Sequence, residues 1–344
     1  MSHSTNQRKH DHLQTFRRDP DVERHKHYFD AIHLTHRALP EIALADVDAS
    51  VEFLSKRLSF PLLISSMTGG SEPIFQKINR NLALAAEAEG VALGVGSQRV
   101  MFAASAARKS FELRRYAPTA PLLANLGAVQ LNYGFGLAEC RAAVAALQAD
   151  ALILHLNPLQ EAIQREGDTD FRGLASKVGK IARALGKPVI VKEVGAGLSL
   201  ADALLLVKNG VKILDVAGTG GTSWSRIEHH RRAATDAADD LGLVFQDWGL
   251  PTPLALWALR SLRKKVTLIA SGGIRSGLDT AKAVVLGASL CGVAAPLLKP
   301  AQESAEAVRA VIQRLRREFI TAMFLLGCRN VNALCGNDRL LQSA

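Results

Sequence analysis

From residue 61 onward the chain alternates between short apolar runs and longer amphipathic stretches. The short runs are PLLISS at 61–66, VALGVG at 91–96, PLLANL at 121–126, ALILHL at 151–156, PVIVKE at 188–193, KILDVA at 212–217, VTLIAS at 266–271 and LCGVA at 290–294. Their apolar residues are consecutive rather than alternating, which predicts strands buried on both faces, as in a parallel sheet. The first four begin 30 residues apart, about the length of one strand–helix–strand step. Between the runs, 73–89, 137–148, 172–185, 200–208 and 276–286 are rich in Ala and Leu at helical spacing, with Pro73 opening the first. The interval 218–265 is longer. It predicts an extended loop with a helix at about 225–239, followed by a barrel helix at about 251–263. A last helix is expected at 302–326, and 327–344 carries little signal.

Eight such units predict an α/β fold, a (β/α)8 TIM barrel. A doubly wound open sheet is the competing architecture, but the count of eight and the special residues at every strand's C-terminal end favour the barrel. The rhythm is absent from residues 1–60, where seven of the ten histidines fall between His3 and His36. Residues 1–30 are expected to be a mobile polar N-terminal arm and 31–60 a lead-in. Residues 31–344 then form one barrel domain with its C-terminal helix and tail. A His-rich tract is either metal-binding or simply solvated.

Composition narrows the class. An apolar share of 48% in 344 residues supplies a large core, and 22% charged residues is the level of a folded globular chain. Lys and Arg total 42 against 32 Asp and Glu, a net charge of +10. Such an excess suits nucleic acid, a membrane surface or a pocket for a phosphorylated small molecule, although a solvated basic surface accounts for most of it. Aromatic residues at 5% and the lack of a dense Lys/Arg block disfavour nucleic acid. Cys140, Cys291, Cys328 and Cys335 form no CxxC pair, which argues against zinc and disulfides and for a reducing, cytoplasmic setting. No run approaches the roughly 18 apolar residues of a membrane span, and the N-terminus has no apolar signal segment, so no membrane partner is expected.

In barrels the chemistry sits at the C-terminal mouth of the strands. Ser271-Gly272-Gly273-Ile274-Arg275 and Ala294-Ala295-Pro296 follow the last two runs, and Gly218 to Thr222 follows the sixth. Bare glycine backbone at neighbouring tips suits a phosphate cradle, although ordinary tight turns use glycine too. Lys192 ends an apolar run. That position suits a Schiff-base nucleophile, a residue holding a cofactor ring, or a surface lysine. Glu161, close to Asn157 and Gln160, is a hard oxygen ligand for Mg²⁺ or a solvated carboxylate. His155, between Leu154 and Leu156, is a pocket residue or a packed core histidine.

Further motifs carry a resemblance. They are Arg8-Lys9 with His12, MTGG at 67–70, GSQR at 96–99, NLG at 125–127, HLNPLQE at 155–161, KEVG at 192–195, AGTGGTSW at 217–224, DWG at 247–249 and SGGIR at 271–275. In combination they resemble the type 2 isopentenyl-diphosphate isomerases, from Arg8 to about Pro296. SGGIR is shared with FMN barrels in general, whereas HLNPLQE and GSQR are narrower. The resemblance implies an FMN-dependent isomerase of isoprenoid biosynthesis that interconverts isopentenyl and dimethylallyl diphosphates without net oxidation. The flavin would act in its reduced form as acid, base and cation stabiliser. NADPH would be the reductant and Mg²⁺ a second cofactor, in a homo-oligomer (tetramer or octamer).

Residue by residue, the resemblance puts the flavin ring against Met67, Thr68, Gly69, Ser97, Asn125 and Lys192. The flavin phosphate would lie against Thr222, Gly273, Ile274, Arg275, Ala294 and Ala295. The substrate diphosphate would meet Arg8, Lys9, Ser97, Gln98 and Arg99, with Gln160 at the reacting end and Mg²⁺ on Glu161. His155, Trp224 and Glu228 join Gln160 as candidates for proton exchange or pocket shape, and the arm becomes a lid over substrate.

Two rivals remain at this level. An FMN-dependent 2-hydroxy-acid oxidase would share barrel and cradle, but AGTGGTSW contains no histidine or arginine to serve as base or carboxylate clamp. A non-enzymatic nucleic-acid-binding barrel is supported by the +10 charge alone.

Overall fold

The computed structural model describes residues 2–233 and 239–342. Strands β1 (Val51–Phe53) and β2 (Lys56–Leu58) form an antiparallel hairpin. Eight further strands follow: β3 (Leu62–Ile64), β4 (Ala92–Gly94), β5 (Leu122–Gly127), β6 (Ala151–His155), β7 (Val189–Lys192), β8 (Ile213–Asp215), β9 (Thr267–Ser271) and β10 (Leu290–Val293). These eight pair in parallel and in chain order, and β10 returns to β3 to close a barrel. Every predicted apolar run is one of its strands. Closure leaves no sheet edge, which excludes the open doubly wound alternative.

The apolar side chains segregate by strand face. Leu63, Leu123, Ile153, Ile190, Ile213, Ile269 and Leu290 point into the barrel and cluster with Phe53 and Leu58 of the hairpin. The alternate residues, among them Leu62, Ile64, Leu122, Leu152, Leu154 and Val191, pack outward under the helices. The hairpin thus plugs the end of the barrel opposite the mouth. Its turn is tight, with Leu54 and Ser55 both at positive φ (52° and 59°), as a two-residue hairpin of this hand requires.

The helices Pro73–Glu89, Leu137–Leu147, Leu174–Ala184, Leu200–Lys208 and Gly277–Val285 occupy the five predicted intervals. Ser199 and Ser276 cap two of them by accepting the N–H groups of Asp202 and Asp279. The long interval holds Trp224–Ala233 and Thr252–Leu259; part of the helix expected at about 225–239 lies outside the described residues. The single helix expected at 302–326 is two, Ala295–Glu303 and Ala305–Leu325. They are divided at Ser304, which is extended (φ −157°) and caps the second by accepting the Ala307 N–H. The tail clasps the lead-in: Thr35 N–H donates to Leu340 O at 2.8 Å and Gln342 N–H to His33 O at 3.0 Å.

The arm contains a helix, Ser2–Arg18, that its sequence did not announce. The buried part of that helix is largely polar, with His12 and Thr15 beside Leu13, so there is no apolar stripe to detect. It lies over the barrel mouth. Asp19 at its end accepts from Arg226 Nε and His230 Nε2, both at 2.6 Å.

Candidate active site

Parallel register sets Gly127, His155, Lys192 and Asp215 side by side at the C-terminal ends of β5 to β8. One polar row therefore crosses half the mouth. Lys192 Nζ donates to Asp215 Oδ2 at 2.9 Å and to Ser271 Oγ at 2.8 Å. The Ser271 hydroxyl donates in turn to Asp215 Oδ1 at 2.7 Å. An ammonium has three N–H groups, so this buried ring leaves one for the cavity that Lys192 lines.

His155 is fixed in one tautomer. Asn125 Nδ2 donates to Val95 O at 3.0 Å, which turns Asn125 Oδ1 toward His155 Nδ1, 2.7 Å away. Nδ1 therefore carries the proton, and Nε2 is a bare acceptor. Burial, and then the nearby charges of Lys9, Lys192, Arg8 and Arg99, hold this imidazole down to about 3. At neutral pH His155 accepts hydrogen bonds but carries no acidic proton.

A second network faces it. Glu228, fully buried, accepts from Gln160 Nε2 at 2.9 Å, from His12 Nε2 at 3.0 Å and from Arg231 Nη1 at 2.6 Å. Burial alone would raise this carboxyl, but His12, Arg231 and Gln160 together outweigh it and hold it at about 2. Among the described residues His12 Nδ1 is buried with no partner, as suits a neutral ring that donates through Nε2. Burial accordingly pushes His12 below the usual imidazole range. Trp224 meets the His12 ring edge-on, with centroids 5.2 Å apart.

Cations gather on one side of the mouth. Arg8 and Lys9 come from the N-terminal helix and Arg99 from the loop after β4, and all three line the cavity. Arg8 Nη1 donates to Gln164 Oε1 at 3.1 Å, and Arg99 Nη1 to Asp168 Oδ2 at 2.8 Å. Among the described residues no carboxylate forms an ion pair with Lys9; burial and then the Arg8 charge lower it to about 8. Glu161 stands next to them. Its oxygens accept from Asn157 Nδ2 and from the Asp168 N–H, both at 2.8 Å, and burial raises its carboxyl. No group of three His, Cys, Asp or Glu suited to a metal occurs among the described residues. A Mg²⁺ on Glu161 would therefore complete its shell with water and substrate oxygens, as that ion prefers.

Across the mouth lies the glycine cradle. A Cβ on Gly221 would stand 2.8 Å from Gly273 N, and one on Gly273 (φ 79°) 2.7 Å from Gly220 C. The loops after β8 and β9 touch backbone to backbone, so only glycine fits. Arg275 braces them, donating to the carbonyls of Gly273, Arg24 and Gly220. Thr222, Ile274, Ala294 and Ala295 complete this end. Between the cradle and the polar row, Ser65 Oγ and Ser66 Oγ are buried in the cavity wall without a partner among the described residues. A cavity with a bare-backbone cradle at one end, unpaired hydroxyls along its wall and a lysine N–H at the other matches the needs of FMN.

Met67, Thr68, Ser97 and Asn125 also line the cavity, as the sequence led us to expect, and so do Gln160 and Trp224. Three expected residues do not. Gln98 is fully buried and turned into the wall, where its amide donates to Ala143 O at 2.9 Å and accepts the Asn125 N–H at 3.0 Å. It supports Asn125 rather than meeting substrate. Gly69 packs against Phe111, whose ring would lie 2.2 Å from a Cβ at residue 69. Glu228 is reached only through Gln160 and His12. Sequence reasoning missed the supporting roles of Asp215, Ser271 and Asp168. A polar residue closing an apolar strand was the available signal for the first two.

A family model described as FMN-dependent dehydrogenase matches residues 153–342. The isopentenyl-diphosphate delta-isomerase of Paracoccus zeaxanthinifaciens is 58% identical over 339 residues, covering 97% of both chains. That of Hydrogenovibrio crunogenus is 54% identical, again over 97% of both, and that of a Nostoc species 45% identical over 97% of this chain and 95% of its own. Among solved structures, a flavocytochrome b2 variant with sulfite bound superposes with a TM-score of 0.67 at 18% identity, covering 93% of this chain and 78% of the other. A mandelate oxidase with (S)-2-phenylpropionate does so with a TM-score of 0.63 at 19% identity, covering 93% and 88%. At such identities the likeness is one of fold alone.

Proposed function

The chain belongs to the isopentenyl-diphosphate delta-isomerase family, and from that premise we propose that it interconverts isopentenyl and dimethylallyl diphosphates in isoprenoid biosynthesis, with FMN in the barrel mouth. The observation that carries this reading is the cluster of Arg8, Lys9 and Arg99 opposite the flavin cradle. A monocarboxylate, the substrate of a hydroxy-acid oxidase, needs one such cation; a diphosphate needs several.

The reaction adds a proton to a terminal alkene carbon and removes another from the allylic position. Reduced FMN, when bound, supplies an electron-rich ring and a nitrogen acid–base group beside those carbons. The protein does the rest. Arg8, Lys9 and Arg99 hold the diphosphate, Glu161 would hold a Mg²⁺ that adds positive charge there, and that remote binding energy orients the olefin. Gln160 lines the cavity, and Glu228, backed by His12, accepts its amide N–H and so fixes the side chain beside the reacting carbons. His155 shapes the pocket as an acceptor. Lys192 meets the ring with its remaining N–H. The N-terminal helix is the lid, excluding water that would trap a cation.

Three further parts of the reading rest on chemistry. NADPH is the reductant, because an isomerase that works on reduced flavin must be charged once. The protein is cytoplasmic: its four cysteines are free, and no helix among the described residues is long and apolar enough to cross a membrane. It is a homo-oligomer, a tetramer or octamer. Leu204, Trp248 and Leu254 are 50%, 63% and 61% exposed on the contacting helices Leu200–Lys208 and Thr252–Leu259 and the loop beside them, an apolar surface suited to a second copy.

The deciding experiment incubates the FMN-loaded, dithionite-reduced protein with isopentenyl diphosphate in D₂O without oxygen. Deuterated dimethylallyl diphosphate is the expected product. An untouched olefin over a fully reduced flavin refutes the proposal.

A further inference from the structure

Residues 22–24 lie outside the barrel, yet they wall its phosphate cradle. Glu23 pairs antiparallel with Thr222. The Arg24 N–H donates to Gly221 O at 3.1 Å and the Ser223 N–H to Val22 O at 2.7 Å. This pairing brings the Glu23 carboxyl into the cavity, alongside Gly221, Gly273 and Arg275, where it accepts from the Thr222 hydroxyl. A carboxylate is an odd neighbour for a phosphate unless a proton lies between them. Among the described residues neither nearby cation forms an ion pair with it. Arg275 turns three of its five N–H groups to carbonyls, and Arg24 donates to the carbonyls of Gly195, Thr222 and Gln246, with Asp247 3.8 Å away.

We propose that Glu23 is a ligand of the cofactor's phosphate, joined to it through one shared proton. The N-terminal segment then contributes directly to cofactor binding, so that seating the arm and filling the cradle are one event. Burial supports this by raising the Glu23 carboxyl above its ordinary range, against the opposing influence of Thr222, Arg275 and Arg24. The inference rests on the flavin reading of the cavity and is independent of which reaction the flavin serves.

The test is equilibrium binding of FMN and of riboflavin to the apoprotein, followed by flavin fluorescence between pH 6 and 9. Riboflavin lacks the phosphate and reports the rest of the cavity, including Lys9 and His155. A phosphate ester loses its second proton near pH 6, so a shared proton makes FMN affinity fall by at least about tenfold as the pH rises to 9. Glu23→Gln, whose amide donates without a titrating proton, should bind FMN with little pH dependence. Glu23→Ala should lose about tenfold at pH 6, the worth of one charge-assisted hydrogen bond. Riboflavin binding should be the same in all three. The proposal is overturned if Glu23→Ala binds FMN as tightly as the parent at pH 6, or if Glu23→Gln follows the parent's pH slope. If neither flavin binds the parent protein, the flavin reading itself has failed.

Discussion

Lys9 is a cation of the candidate site whose charge changes within the working pH range. Because burial and Arg8 lower it to about 8, its cation is complete below that pH and is lost as the pH rises through it. The pH profile of kcat/KM reports the free enzyme, so kcat/KM for the diphosphate should fall above pH about 8. Lys9→Arg should move that fall upward. Lys9→Met should lower kcat/KM at pH 7 by about ten- to a hundredfold, the worth of a hydrogen bond to a charged group. A profile that Lys9→Arg leaves unmoved would remove Lys9 from the diphosphate site. Glu161 permits a similar test. Glu161→Gln keeps the shape and the Asn157 contact but removes the charge, so the Mg²⁺ concentration for half-activation should rise by at least about tenfold, the effect of losing a carboxylate ligand. An unchanged metal titration would exclude Glu161 as the ligand.

At the scale of elements, the N-terminal helix is tied to the helix Trp224–Ala233 mainly by charge. Burial opposes ionisation of Asp19, but hydrogen bonds from Arg226, His230 and the Asp21 N–H outweigh it and hold Asp19 at about 2. A carboxyl depressed by folding stabilises above its unfolded pKa, near 4, and loses that contribution as the pH falls through the folded value. The helix should therefore stay docked at neutral pH and loosen in acid before the barrel melts. Asp19→Asn should weaken docking at pH 7 by about 1–3 kcal/mol. Hydrogen exchange across 2–18 should speed up while the barrel strands keep their protection; equal exchange in both proteins would show that other contacts hold the helix.

The whole molecule is a barrel stoppered at one end and functional at the other. Phe53 fills the stopper and is 6% exposed. Phe53→Ala should cost about 3–5 kcal/mol of stability, as for other buried aromatics truncated to alanine. The thermal midpoint should drop while FMN affinity at 25 °C stays the same, because β3 to β10 separate Phe53 from the mouth. A matched loss of flavin affinity would mean that the two ends are coupled.

The amino-acid order alone determined the eightfold architecture, because burial on both strand faces forces consecutive apolar residues, and a βα repeat of that count closes. It also placed Lys192, His155 and the glycine tips at strand ends, where loops must carry the chemistry. The resemblance extended this to Arg8, Lys9 and Glu161. Partners were a different matter. Gln98 sits one residue from two cavity residues, and only the backbone turn after β4 decides that its amide faces the wall. Asp215 and Ser271 lie 23 and 79 residues from Lys192, and strand register alone brings them together. The N-terminal helix is polar on its buried side, so no periodicity could announce it; it is held by His12 on Glu228 and, at its end, by Asp19 on Arg226 and His230. Local sequence encodes which residues must be buried, while the pairing of polar groups across hundreds of residues exists only once the barrel has closed.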